Sequence, residues 1–93
     1  MEIQGDTTFV KNANVVWKVL DEESVLLDLD SGLYFSLNKV GTVAWDMFNE
    51  GRAVAEVASA ICEAYAVDEE EALSDIMDLA RSLVAEDLIR VGP

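Results

Sequence analysis

The sequence predicts an α+β fold, a three-stranded antiparallel β-meander followed by three α-helices. Three observations predict it. Apolar residues alternate with a period of two across residues 14–37, the pattern of half-buried strands. From residue 38 to 87 they recur at helical spacing instead. Turn-forming clusters separate the strand segments, at Asp21-Glu22-Glu23 and at Asp30-Ser31-Gly32. Ninety-three residues make one domain.

In the first strand Val15, Trp17 and Val19 alternate with Val16, Lys18 and Leu20. In the second, Val25, Leu27 and Leu29 alternate with Leu26, Asp28 and Asp30. In the third, Leu33, Phe35 and Leu37 alternate with Tyr34 and Ser36. Gly32 supplies the left-handed residue that a three-residue hairpin loop requires. Trp17 and Phe35 are too large for three short strands to bury alone, so a helical layer must cover them. Residues 1–12 read as a flexible tail ahead of a domain spanning 13–93.

The first helix opens at Asn38, an N-cap residue, and closes at Gly51, a C′ residue. Between them Val40, Val43, Ala44, Met47 and Phe48 share one face. The second helix spans about 53 to 65, with Val54, Val57, Ala58, Ile61, Cys62 and Tyr65 on one side. The third opens at Asp68, with Glu71 completing a capping-box-like start and Glu69 and Glu70 suited to the positive end of the helix dipole. Its apolar residues Ala72, Leu73, Ile76, Met77, Leu79, Ala80, Leu83 and Val84 cover roughly 180° of the helix surface, against the ~100° that a core-facing stripe needs. The surplus either packs on the other helices or forms the wall of a groove. Leu88 to Val91 reads as a last short strand.

Composition excludes several kinds of chemistry. The chain has no histidine, which removes Ser-His-Asp and Cys-His catalysis and histidine-ligated metals. Cys62 is the single cysteine, so no disulfide forms within the chain. It sits late in its helix, on the apolar side and beside Glu63, the setting of a structural thiol and not of an activated one. Nineteen acids against six bases give a net charge of −13, which repels a nucleic-acid backbone. No apolar run is long enough to span a membrane, and the Met1 to Asp6 segment lacks a targeting pattern. The expectation is a cytosolic protein with no catalytic residues, no metal and no cofactor.

Asp28-Leu-Asp30-Ser-Gly32 has the carboxylate spacing of a calcium loop, but Gly32, Leu33 and Lys39 stand where that loop needs other residues. The two acids read as solvated turn residues. Asp30-Ser31-Gly32 also approaches the attachment motif of acyl carrier proteins, but that serine must open a helix, and Ser31 lies between strands. What remains is shape. A three-stranded meander has two edges, and an uncovered edge offers unpaired N–H and C=O groups to an extended peptide.

The run from Val25 to Asn38, followed by Gly41, Trp45, Gly51-Arg52-Ala53-Val54-Ala55-Glu56-Val57, the Tyr65 to Asp75 stretch and the closing Leu83 to Ile89, resembles the PqqD family. The match covers roughly residues 14–91. Ala44-Trp45 resembles the broad family more than its members devoted to pyrroloquinoline quinone. The resemblance implies a winged helix-turn-helix-like domain that does no chemistry itself. It implies binding of the leader of a ribosomally made precursor peptide, which adds as a strand to the third strand and lies against the third helix. Delivery to a separate modifying enzyme, a radical-SAM protein, a peptidase or a cyclase, would follow. By position, the docking strand is Leu33, Tyr34, Phe35, Ser36 and Leu37. The helical face is drawn from Asp75, Ile76, Leu79, Ser82, Leu83 and Glu86, or from Leu73, Met77, Ala80 and Val84, and the sequence leaves both arcs open. Asp75 reads equally as a partner for a basic or hydroxyl group and as a solvated acid.

Two positions depart from the family pattern. Ala53 replaces a Thr or Ser cap, which should weaken the start of the second helix. Asp87 replaces a Gly after the third, so the chain is expected to leave that helix differently. The alternative to peptide binding is a winged-helix DNA-binding regulator. It lacks the bases it needs: there is none between Ala53 and Tyr65, and Arg81 alone in the third helix. The acidic charge favours a leader with basic or neutral flanks. The protein is expected as a monomer or a homodimer.

Overall fold

The computed structural model describes residues 3–92. Met1 and Glu2 of the expected tail, and Pro93 of the expected domain, lie outside the described residues. The elements are β1 (Thr8–Lys11), β2 (Val15–Leu20), β3 (Glu23–Asp28), β4 (Tyr34–Leu37), α1 (Lys39–Asn49), α2 (Val54–Tyr65), α3 (Glu69–Ala85) and β5 (Ile89–Gly92). The meander followed by three helices is the predicted order, with β2, β3 and β4 as its strands.

The meander's alternation sorts its side chains cleanly. The register aligns Trp17, Leu26 and Phe35 in one row and Val19, Ser24 and Leu37 in the next, both toward the helices. Leu26 is fully buried, and Ser24 is buried because its hydroxyl meets Thr42 Oγ1 of α1 at 2.8 Å. Trp17 stacks edge-on against the buried Trp45 of α1, with ring centroids 5.7 Å apart, yet stays 38% exposed. The helical layer covers the middle of the sheet and, beyond the buried Val15, leaves β2 exposed.

Both hairpin turns differ in detail from the sequence reading. Asp21 and Glu22 alone form the first, with φ of 52° and 70°, the backbone of a type I′ turn. The second has four loop residues, Leu29 to Gly32, bracketed by Asp28 N–H donating to Leu33 O at 3.0 Å. Asp28 is buried, not solvated: its carboxylate accepts from the Asp30 N–H at 2.9 Å and fixes the turn.

The expected loose tail is the largest correction. Thr8–Lys11 is a strand, antiparallel to β5, with Thr8 opposite Gly92 and Lys11 opposite Ile89. Ile3 and Phe9 are buried, and Phe9 packs edge-on against Phe48 at 5.0 Å. Each such side chain contributes about 1.5–3 kcal/mol by leaving water. The sequence concealed this because β1 is four residues long and pairs only with the far end of the chain.

That segment also answers the departure at Ala53. With no side-chain cap, the first N–H groups of α2 need other acceptors. Val54 N–H donates to Thr7 O at 3.1 Å and Ala55 N–H to Gly5 O at 2.8 Å, while Glu56 Oε1 accepts from Ala53 N–H. The backbone of residues 5–7 caps the helix.

At the start of α1 Asn38 accepts from Gly41 N–H at 2.8 Å, as predicted. Asp68 stands at the N-cap of α3 with extended backbone but makes no side-chain cap bond. Glu69, Glu70 and Glu71 already place negative charge at that helix end. At the far end Asp87 adopts the left-handed conformation a glycine would take, φ 57°. Asp87 N–H bonds Val84 O and Leu88 N–H bonds Leu83 O, a Schellman closure with Leu83 and Leu88 both buried. Contrary to expectation, the chain leaves α3 as the glycine would direct it. Asn12 holds the turn, its amide donating to Asp87 O at 2.9 Å.

Two stability outcomes follow. Ala66 ends α2 at φ 53° and is exposed, so Ala66→Gly should raise the unfolding free energy by roughly 0.5–1 kcal/mol in urea denaturation. Asp46 on α1 has its carboxyl raised above the ordinary value, first by desolvation and second by Glu50. A raised folded-state value means that the native state holds the proton more tightly. Its contribution is favourable in acid and is lost as pH rises through that value. Asp46→Asn should therefore raise the melting temperature at pH 7, and the gain should vanish near pH 3.

Candidate functional site

β4 pairs with β3 on one side, and no strand among the described residues pairs with its other side. The Asp28–Leu33 bond sets the alternation of the ladder. Phe35 and Leu37 exchange hydrogen bonds with β3, and the N–H and C=O groups of Tyr34 and Ser36 point to the open edge. Phe35 and Leu37 turn their side chains inward. Tyr34, 71% exposed, and Ser36 face away from the helices.

α3 packs on α2 and β5, whereas β4 is carried by β3 and α1. The two elements therefore stand apart, with a groove of about 470 Å³ between them. β4 contributes Ser36 and Leu37, the first turn of α1 contributes Asn38, Val40 and Gly41, and α3 contributes Asp75, Ile76 and Leu79. A second hollow of about 480 Å³, over Leu20 and Glu23 to Val25, shares Ser36, Leu37 and Asn38 with it. The two form one track past the end of β4.

Of the two helical arcs the sequence left open, the one containing Asp75, Ile76 and Leu79 faces β4. Leu73 lies on another side, over a hollow of about 340 Å³ against Ala55, Ala58 and Ser59 of α2. Met77 borders a shallow site with Leu73, Ser74 and Arg81. Ile76, Ala80 and Leu83 are buried and serve the core, and of the three only Ile76 has an edge on the groove. Ser82 is exposed and lines none of these hollows. Leu33 precedes β4, pairs with Asp28 across the hairpin and is exposed. Sequence reasoning omitted Asn38, Val40 and Gly41. The signal was present: a cap residue immediately after a strand forces the helix to start there, and its first turn then closes the end of the groove. A side chain at Gly41 would stand 3.3 Å from Leu37 Cβ and 3.2 Å from Asn38 Oδ1.

The decoys take structural roles. Ser31 Oγ accepts from Leu33 N–H within the hairpin turn, far from any helix start. The Cys62 thiol donates to Val67 O at 3.0 Å. Among the described residues no cluster of acids and thiols could hold a metal ion. Nor, among the described residues, is any helix long and apolar enough to cross a membrane. Arg81, the one base on α3, is paired with Asp78 at 3.0 Å.

The chain is similar to known proteins in sequence and in fold. A family model described as coenzyme PQQ synthesis protein D (PqqD) matches residues 23–89. A solved structure of TbiB1 in complex with the TbiA(beta) leader peptide is 36% identical. It superimposes with a TM-score of 0.82, covering 87% of this chain and 94% of that one. A lasso peptide synthetase B1 complexed with the leader peptide is 28% identical, with a TM-score of 0.82 over 88% of this chain and 96% of that one. No curated protein matches significantly.

The edge geometry predicts a contrast between neighbours. Ser36→Pro removes an N–H that β3 does not use and should change stability by less than about 1 kcal/mol. Phe35→Pro removes a ladder bond inside the sheet and should cost about 3 kcal/mol or more. Urea denaturation of both variants measures the difference.

Proposed function

The chain belongs to the PqqD family, and from that premise we propose that it binds the leader region of a ribosomally synthesised precursor peptide. The leader adds as a strand to β4 and rests its inward side chains against α3. The observation that carries this is the open β4 edge standing beside an apolar wall. β1 and β5, the two strands outside the meander, pair with each other and leave that edge alone. The backbone groups of Tyr34 and Ser36 supply affinity that any sequence can use. Leu37, Ile76, Leu79 and Asp75 supply selectivity.

Side chains of an added strand point alternately to the two faces of the sheet, so every second residue enters the groove. The first turn of α1 bounds the track at Asn38 and Gly41. The protein holds the peptide and presents it to a separate modifying enzyme, a radical-SAM protein, a peptidase or a cyclase. It performs no reaction itself, and it acts in the cytosol, where the precursor is made. Two relatives solved with leader peptides support the reading.

The test is a titration of isotope-labelled protein with the leader encoded by a precursor gene beside this one. Amides of Tyr34 to Leu37 and of Asp75 to Leu79 should shift. Amides that stay still at saturating peptide would overturn the assignment. Ser36→Pro, folded as above, should bind about tenfold more weakly, because it loses one backbone bond and crowds the edge.

A further inference from the structure

The groove has one acidic side chain, the exposed Asp75, and among the described residues it has neither a salt bridge nor a hydrogen bond. Its carboxylate lies one helical turn from Leu79, on the same face, because residues four apart on a helix are neighbours. Its neighbours three and four residues away, Glu71, Ala72, Asp78 and Leu79, include no cation. Of the six bases, Lys18 on β2 and Arg90 on β5 stand exposed on other elements, and the other four are engaged. Lys39, next to the groove residues Asn38 and Val40, reaches Glu22 at 3.4 Å and lies 5.9 Å from the Tyr65 ring. Lys11 donates to the Asn12 and Val15 carbonyls, Arg52 pairs with Glu50 and Glu56, and Arg81 with Asp78. The groove thus presents an anion set against apolar surface, in a chain of net charge −13.

We propose that the segment recognised in this groove is a short, extended peptide with apolar side chains at alternate positions and a lysine or arginine among them that pairs with Asp75. This inference rests on the proposed strand addition at β4 and names the chemistry of its guest. Two features set the pattern. The open edge offers the outward groups of only Tyr34 and Ser36, so the paired stretch is a few residues long. The inward positions meet the half-buried Leu79 and the edges of the buried Leu37 and Ile76, with the exposed Asp75 beside them, so one face of the guest must satisfy both oil and charge. The remaining acids of the surface draw a cationic peptide in and repel an acidic one, an effect that weakens as salt rises.

The experiment selects a random octapeptide display library on the immobilised protein and on its Asp75→Lys variant. The wild type should enrich peptides with Lys or Arg between alternating apolar residues, and the variant should shift the enrichment to Asp or Glu. Asp75→Asn should weaken selected synthetic peptides roughly two- to fivefold, with less loss at high salt. Selected peptides that shift the Tyr34 to Leu37 amides but carry no excess of cations would overturn this inference and leave strand addition standing. A library that yields no binder, or binders that leave those amides still, would overturn both.

Discussion

The backbone of β1 has one partner, and that partner is β5. Thr8–Lys11 and Ile89–Gly92 lie far apart in sequence, yet they satisfy each other's N–H and C=O groups. The ladder continues through Asn12 N–H to Leu88 O. Either strand could otherwise have extended the meander. Their mutual pairing leaves a three-stranded sheet with its last edge unclaimed. The same pairing anchors Phe9 beside Phe48 and delivers the carbonyls of Gly5 and Thr7 to the start of α2. The two edges of the meander are not equivalent. At β2 the outward groups of Val15 are taken, its N–H by Asn12 O and its carbonyl by the Lys11 ammonium. At β4 no strand among the described residues pairs with the outward groups of Tyr34 and Ser36.

Helix ends decide where the groove lies. Asn38 stops β4 and starts α1 in one residue, which sets Val40 and Gly41 at the mouth of the track. The Schellman closure after α3 folds the chain back through Leu88 into β5, which holds α3 against α2 and away from β4. Asp87 takes the left-handed turn there at some conformational cost, and Asn12 offsets part of it from β1's side.

Period and punctuation revealed most of this fold. The alternation of residues 15–37 placed the meander, and Asn38 and Gly51 marked the ends of α1. The sheet's inward rows follow from parity alone. What sequence could not reveal was non-local. Four residues such as Thr8–Lys11 carry too little periodicity to announce a strand, and nothing nearby tells that their partner lies near residue 90. The choice between the arcs of α3 was hidden for a related reason. Both stripes are apolar, and only packing against α2 tells that Ala80 and Leu83 are core while Asp75 and Leu79 look toward β4. The strand that the resemblance singled out, residues 33–37, is an edge of the sheet, and Leu33 alone of its residues lies outside β4.

Thr8 and Gly92 stand opposite each other in the β1–β5 ladder. The polypeptide therefore enters and departs through adjacent doors. A body wired this way can be spliced into a surface loop of a larger protein, or appended to it, without stretching the host backbone. Its capture edge belongs to a different sheet, so such a graft would leave that edge open. The architecture suits a portable cassette, able to ride on whichever catalyst its cargo requires.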